Sequence, residues 1–241
     1  IEYNPSSGNQ DEEYIELTNP NNEDLDISGW VIDGGIDFVI PGGTVILANS
    51  SLYVVANKAA FRNRASGPTG GQNHLVLGGF SGHLSSFGET VTLRDADGGF
   101  ISSKTYMGNP SDQQLYLVVS EFMYQPSANS EAEYIELMNI SSSVTLDLTG
   151  VKFTEGIVFD FTGSAVITLA PGAKVLVVRN LAAFQTTYGN GLNAQIAGVY
   201  TGGLSNAGEE VKLEDASNST IHDFNYEPIV PWPTSAAGGG S

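Results

Sequence analysis

The sequence contains no cysteine, which excludes disulfide cross-links, thiolate metal ligands and cysteine nucleophiles together. Basic residues are scarce: nine Lys and Arg stand against 27 Asp and Glu, for a formal net charge of −18. A surface this acidic repels a phosphate backbone, which is bound by Lys and Arg that displace its counterions, so nucleic acid and anionic membrane are poor partners. Long apolar runs are also missing. The runs YLVV at 116–119 and VLVV at 175–178 have strand length and fall far below the roughly 18 residues of a membrane span, so no membrane insertion is expected. Histidine occurs only as His74, His83 and His222, and there is no HExxH, GxSxG or Walker A pattern. In GFSGH at 79–83, His83 stands where a nucleophile elbow requires glycine. These absences argue against an enzyme.

What the sequence does contain is a copy of itself. EYIELTN at 13–19 returns as EYIELMN at 133–139, LDISGW at 25–30 as LDLTGV at 146–151, and VVANKAAF at 54–61 as VVRNLAAF at 177–184. GHLSSFGETVTLRDA at 82–96 likewise returns as GGLSNAGEEVKLEDA at 202–216. The length of 241 residues suits two domains, and a unit of this size is too long for a solenoid repeat but matches an immunoglobulin-sized sandwich. The expected division is a first domain at 1–114, a second at 115–228, and a Pro/Gly/Ser-rich tail at 229–241.

Short runs rich in Val, Ile, Thr and Tyr recur between clusters of Gly, Pro, Asn and Asp, which predicts an all-β chain. In ETVTLRD, Val91 and Leu93 fall on one face and Thr90, Thr92 and Arg94 on the other. Asp97-Gly98 predicts a hairpin with a type I′ turn. Helix is expected only in NKAAFRNR and RNLAAFQTTYG, for one or two turns each. Asn49, Asn139 and Asn218 head N-x-S/T sequons, expected on surface loops.

The ordered motifs resemble the lamin tail domain, an immunoglobulin-like β-sandwich known from nuclear lamins and from secreted bacterial proteins. The resemblance rests on Tyr3-Asn4-Pro5-Ser6, EYIELTN, LDISGW, Phe38 with Ile40-Pro41-Gly42, LYVVA at 52–56 and LSSFGETVTLRD at 84–95. The second half supplies Tyr124-Gln125-Pro126-Ser127, EYIELMN, LDLTGV and LSNAGEEVKLED at 204–215. Val151 departs from the tryptophan of the SGW motif. The resemblance implies two tandem sandwiches serving as a structural or binding module of a larger extracellular bacterial protein, and it brings no catalytic residues.

Calcium is the one metal that suits such loops, since it takes oxygen donors in flexible geometry. Its candidate ligands are Asp11, Glu12, Glu13, Asp24 and Asp26, with no other cofactor expected. Glu13, Glu16 and Asp26 recur as Glu133, Glu136 and Asp147, and are expected on the solvent faces of their strands. Tyr3, Tyr14, Tyr134 and Trp232 are candidate platforms for a glycan, because an amphipathic ring stacks on the apolar face of a sugar.

The copies differ most at their starts. LYLVVSEFM, a full strand, precedes Tyr124, whereas only Ile1-Glu2 precedes Tyr3. The chain is accordingly expected to be a piece of something longer, with a first domain whose sheet edge invites protein partners or self-association by strand addition.

Overall fold

The chain divides into two units, Ile1–Asn109 and Pro110–Ser241, and the computed structural model describes residues 1–69, 71 and 74–229. Trp232 and most of the Pro/Gly/Ser-rich tail lie outside the described residues.

In the first unit a 3-10 turn at Gln10–Glu12 leads into β1 (Tyr14–Asn19), β2 (Leu25–Asp26), β3 (Val31–Asp33), β4 (Ile36–Val39), β5 (Val45–Ile46) and β6 (Ser50–Val55). Then come α1 (Lys58–Arg62), β7 (Leu75–Gly78), β8 (Ser81–Gly82), β9 (Gly88–Arg94) and β10 (Phe100–Met107). One sheet has the order β1-β6-β7, the facing one β10-β9-β3-β4-β8, and β2 pairs with β5 alongside. All pairings are antiparallel except β6 with β7, which the α1 crossover joins in parallel. Between the sheets lies a core of branched aliphatics, among them Ile15, Ile27, Ile32, Ile36, Leu52 and Val54.

The second unit opens with α2 (Asp112–Tyr116) and β11 (Leu117–Met123). It continues through β12 (Tyr134–Asn139), β13 (Leu146–Asp147), β14 (Lys152–Glu155), β15 (Ile157–Asp160), β16 (Thr168–Leu169), β17 (Lys174–Val178), α3 (Leu181–Tyr188), β18 (Ile196–Val199), β19 (Thr201–Gly202), β20 (Glu209–Glu214) and β21 (Thr220–Tyr226). The sheets here are β11-β12-β17-β18 and β19-β15-β14-β20-β21, with β13 paired to β16. Both units are thus immunoglobulin-like sandwiches, and the second has one strand more. Val151, in place of tryptophan, is fully buried in a core that Phe153 and Phe161 fill.

The two predicted helices form. Each packs a phenylalanine, Phe61 from α1 and Phe184 from α3, onto the outer face of its smaller sheet. That second layer explains why Leu52–Val55 and Val175–Val178 are buried at every position: both faces of these strands are covered. The sequence reading missed α2, although Ser111 and Gln114 form a capping box that S-x-x-Q announces. The β9–β10 hairpin forms at Asp97-Gly98, but with a wider loop than a type I′ turn. Gly98 has φ +83 whereas Asp97 has ordinary negative φ, and the Asp95 N–H bonds the Gly99 carbonyl at 2.9 Å while the Asp95 carboxylate accepts from the N–H groups of Asp97 and Gly99.

Asn19 and Asn139, which end β1 and β12, are fully buried. The Asn139 amide donates to the carbonyls of Val144 and Leu169 at 2.8 and 2.9 Å and accepts from the Ser141 N–H at 2.9 Å. Asn19 repeats the pattern on Glu23, Ile46 and Asn21. This corrects the expectation that the Asn139 sequon lies on the surface. Asn139→Ala is expected to cost about 2 kcal/mol, because three backbone groups, two of them buried, lose their partner at once. Urea denaturation of the second domain measures it, and a loss below about 0.5 kcal/mol would contradict the assignment.

Candidate functional site

Strand parity places Glu13 with Ile15 and Leu17, and Glu133 with Ile135 and Leu137. Both glutamates turn inward and are 1% and 3% exposed, which corrects the expectation of solvent-facing charges. Glu13 Oε2 accepts the Leu84 N–H at 3.0 Å, and Glu133 Oε2 accepts the Leu204 N–H at 2.9 Å. The next N–H in each turn is also held: Ser85 donates to Glu89 at 2.8 Å and Ser205 to Glu209 at 2.6 Å. Tyr106 and Tyr226 brace these second carboxylates through their hydroxyls, at 2.8 and 3.1 Å. In both copies, then, a pair of carboxylates clips the turn that leads into the last hairpin.

Beyond this shared clip the copies diverge. Glu133 also accepts from Arg179 Nη1 at 2.6 Å and from the Tyr200 hydroxyl at 3.1 Å. At the matching positions the first domain has Ala56 and Phe80. Burial therefore pushes the Glu13 carboxyl from 4.5 up to about 8, against the pull of the Leu84 N–H and with help from Glu89, Asp11 and Glu2. This carboxyl serves the fold: it sits in the core against a turn.

The five calcium candidates do not converge. Glu12 faces Arg64 at 3.8 Å, Glu13 turns inward, Asp24 accepts the Ala48 N–H at 2.9 Å, and Asp26 accepts the Ser28 N–H at 2.9 Å. Asp11 is exposed in the 3-10 turn that precedes β1. Among the described residues no three His, Cys, Asp or Glu side chains gather as a metal site would require. Glu16 is exposed as expected, whereas Glu136 is buried, with its carboxylate 2.6 Å from Lys174 Nζ and 2.7 Å from Ser120 Oγ.

The candidate platforms are mostly packing groups. Tyr134 is buried edge-on against Phe184 and Tyr188, and its hydroxyl donates to Glu121. Tyr14 meets Tyr53 and Phe61, and the guanidinium of Arg64 lies 4.8 Å from its ring centroid. Tyr3 stacks on Tyr106 at 4.7 Å. The helices account for this: α1 and α3 cover the face that strand alternation alone assigns to solvent. Of the histidines, His83 is exposed, while His74 and His222 lie 2.9 and 2.8 Å from the carbonyl oxygens of Ser51 and Leu117.

What remains is the outer edge of β1. In the second domain β11 pairs with β12 from Leu117↔Asn139 to Met123↔Tyr134. In the first, β1 is paired on that side only by the Glu2↔Tyr14 bridge, and among the described residues no strand lies against Glu16–Asn19. Beside this edge, between the two sheets, opens a largely apolar groove of about 630 Å³. Leu17, Leu25, Trp30, Leu93, Ile101 and Lys104 help to line it. The corresponding space in the second domain holds Tyr116, Leu117, Val119 and Phe122.

Comparison with curated proteins finds no match. Among solved structures, the crystal structure of the S-layer protein SbsC, domains 7, 8 and 9, aligns with 93% of this chain at 11% identity and a TM-score of 0.21. The chain spans 61% of the length of that structure. A family model described as Lamin Tail Domain matches residues 1–108 and again residues 110–228. With two consecutive matches covering nearly all of the described sequence, the chain belongs to the lamin tail domain family as a tandem pair.

Proposed function

We propose that the chain is a non-catalytic structural and adhesive module of a larger secreted or surface bacterial protein, joined to its neighbours through sheet edges. The observation that carries this reading is the family match over both halves, two consecutive lamin tail domains in which a shared pair of carboxyls clips a turn of the fold. Natural sandwiches protect such edges with charge, bulges or a covering segment, because a row of N–H and C=O groups templates pairing with another chain. Three features support the non-catalytic half of the reading: the Glu13 and Glu133 carboxyls are committed to the fold, Tyr3, Tyr14 and Tyr134 pack against other rings, and the family resemblance brings no catalytic set. No helix among the described residues is long and apolar enough to cross a membrane.

The test is the mass of the chain in solution by light scattering across a concentration series. Self-association through the open edge predicts a mass that rises above the 25.4 kDa monomer as concentration increases. A monomer at every concentration, with an ordered first domain, would rule out joining between copies.

A further inference from the structure

We infer that the outer face of strands β3, β9 and β10 binds an extended neutral polysaccharide, with Phe100 as the stacking platform and Arg94, Asp33 and two rows of hydroxyls as its polar partners. This deepens the adhesive-module reading and rests on it. It also moves the glycan from the tyrosines, which pack against other rings, to a ring that faces solvent.

Strand parity sets the face. Val91 and Leu93 of β9 pack into the core, which sends Thr90, Thr92 and Arg94 outward. Residues paired across strands share a face, so the register adds Thr105, Ser103 and Phe100 from β10, and Asp33 and Val31 from β3. Phe100, the partner of Arg94, is 64% exposed. The hydroxyls of Thr90 and Thr105 meet at 2.7 Å, and Thr92 stands opposite Ser103 one step along the hairpin. Arg94 Nε donates to the Asp33 carboxylate at 2.9 Å while the two side chains stay 41% and 38% exposed. That bond uses Nε and leaves the two Nη groups for an outside acceptor.

This set suits a sugar chain. An aromatic ring takes the apolar C–H face of a pyranose, threonine and serine hydroxyls both donate and accept as sugar hydroxyls do, and the guanidinium offers a planar donor fork beside a carboxylate acceptor. Charge argues against a polyion as the partner: in a chain of net charge −18, the outward residues of these three strands carry one Arg and one Asp, which balance. A protein interface centres on a desolvated apolar cluster, whereas here Phe100, Val31 and the exposed Val39 form one row and hydroxyls fill the next two. The second copy supplies the contrast. Its matching positions hold Glu210, Lys212 and Glu214 on β20 and Asp223 opposite Lys212 on β21, with Thr220 in place of Phe100 and Lys152 in place of Val31. Lys212 Nζ meets Glu214 at 2.9 Å, and Lys152 Nζ donates to the Asn218 side chain. One copy turns its polar groups on each other, and the other presents a ring and hydroxyls to solvent.

The test is affinity electrophoresis of the whole chain through native gels holding mixed-linkage β-glucan, xylan, galactomannan or dextran, with polygalacturonate as the anionic control. The expected result is retardation in at least one neutral gel and free migration in polygalacturonate, with a Kd between about 10 μM and 1 mM. Phe100→Ala should weaken the retardation at least about tenfold, while Thr220→Ala at the matching position of the second copy leaves it unchanged. Equal urea midpoints of parent and variants show that the fold is kept. Free migration in every neutral gel, or retardation that Phe100→Ala leaves intact, would overturn the inference. So would retardation by polygalacturonate alone, or self-association that Phe100→Ala abolishes, since the latter makes the face a protein interface. Glycan binding by a chain that stays monomeric sustains the face and ends the reading of copies joined to each other. A self-associating chain that no neutral gel retards ends the glycan face alone.

Discussion

Glu133→Ala is expected to destabilise the second domain by about 3–5 kcal/mol. The change strips two buried donors, the Leu204 N–H and the Tyr200 hydroxyl, of their acceptor and leaves Arg179 without its nearest carboxylate. The Arg179 contact is the smaller part, because its side chain is 30% exposed and also reaches Glu131 at 3.1 Å, so solvent and a second acid compensate it. Most of the loss arises from the unsatisfied donors and from the space left in the core. Glu133→Gln separates these contributions: it keeps an acceptor for one donor while removing the charge, and should cost distinctly less. Denaturant unfolding of the two variants checks the order, and an alanine variant that loses less than about 1 kcal/mol would contradict the role assigned to the clip.

The first domain is expected to lose stability as pH rises from about 5 to 8, because Glu13 holds its proton to about 8 in the folded state. The sign follows from proton counting. Below the unfolded value of 4.5 both states carry the proton and the contribution is fully present; between 4.5 and about 8 only the folded state carries it, so stability falls. The slope approaches ~1.4 kcal/mol per pH unit for one group, on the order of 3–5 kcal/mol across the window. Glu13→Gln removes the titration while keeping a carbonyl for the Leu84 N–H, so its stability should stay flat over the same range and exceed that of the parent at pH 8. Ala56→Arg, which imports the partner that Glu133 has in Arg179, should also flatten the profile. Urea titrations monitored by Trp30 fluorescence from pH 5 to 8, in a Trp232→Phe background, measure this. A parent slope that Glu13→Gln leaves unchanged would assign the pH dependence to other groups.

The repeat, the β class, the helices α1 and α3 and the unequal starts of the two copies were legible in the sequence, because each rests on periodicity or on matching segments. The inward carboxylates were missed although their signal was present. Glu13, Ile15, Leu17 and Asn19 share one parity, as do Glu133, Ile135, Leu137 and Asn139, so an acid and an amide frame each pair of core aliphatics. A polar residue that recurs in both copies at core parity marks a buried hydrogen-bond centre. Such a position was read as solvent-facing because charge was weighed before register. Tyr134, expected on a partly exposed face, is buried for a different reason, whereas Tyr14 on the matching face is half-buried. Alternation tells which residues share a face but not what covers that face, and here the covering helices lie 40 or more residues downstream. The unalternating runs at 52–55 and 175–178 were the available clue that both faces of the small sheets are buried. Where the acids of the stretch 11–26 point is geometry that no spacing rule conveys: Glu12, Asp24 and Asp26 each face a different local partner.

Amide hydrogen exchange on the whole chain tests the central claim most directly, because the two copies provide their own control. Thr18 and Met138 occupy the same place in the repeat, and only Met138 faces a second strand, through Val118. An edge of β1 left unpaired in this chain predicts rapid exchange at Glu16 and Thr18 and slow exchange at Met138. Equal protection of Thr18 and Met138 in the chain alone would contradict the account, since it would show the edge of β1 already closed.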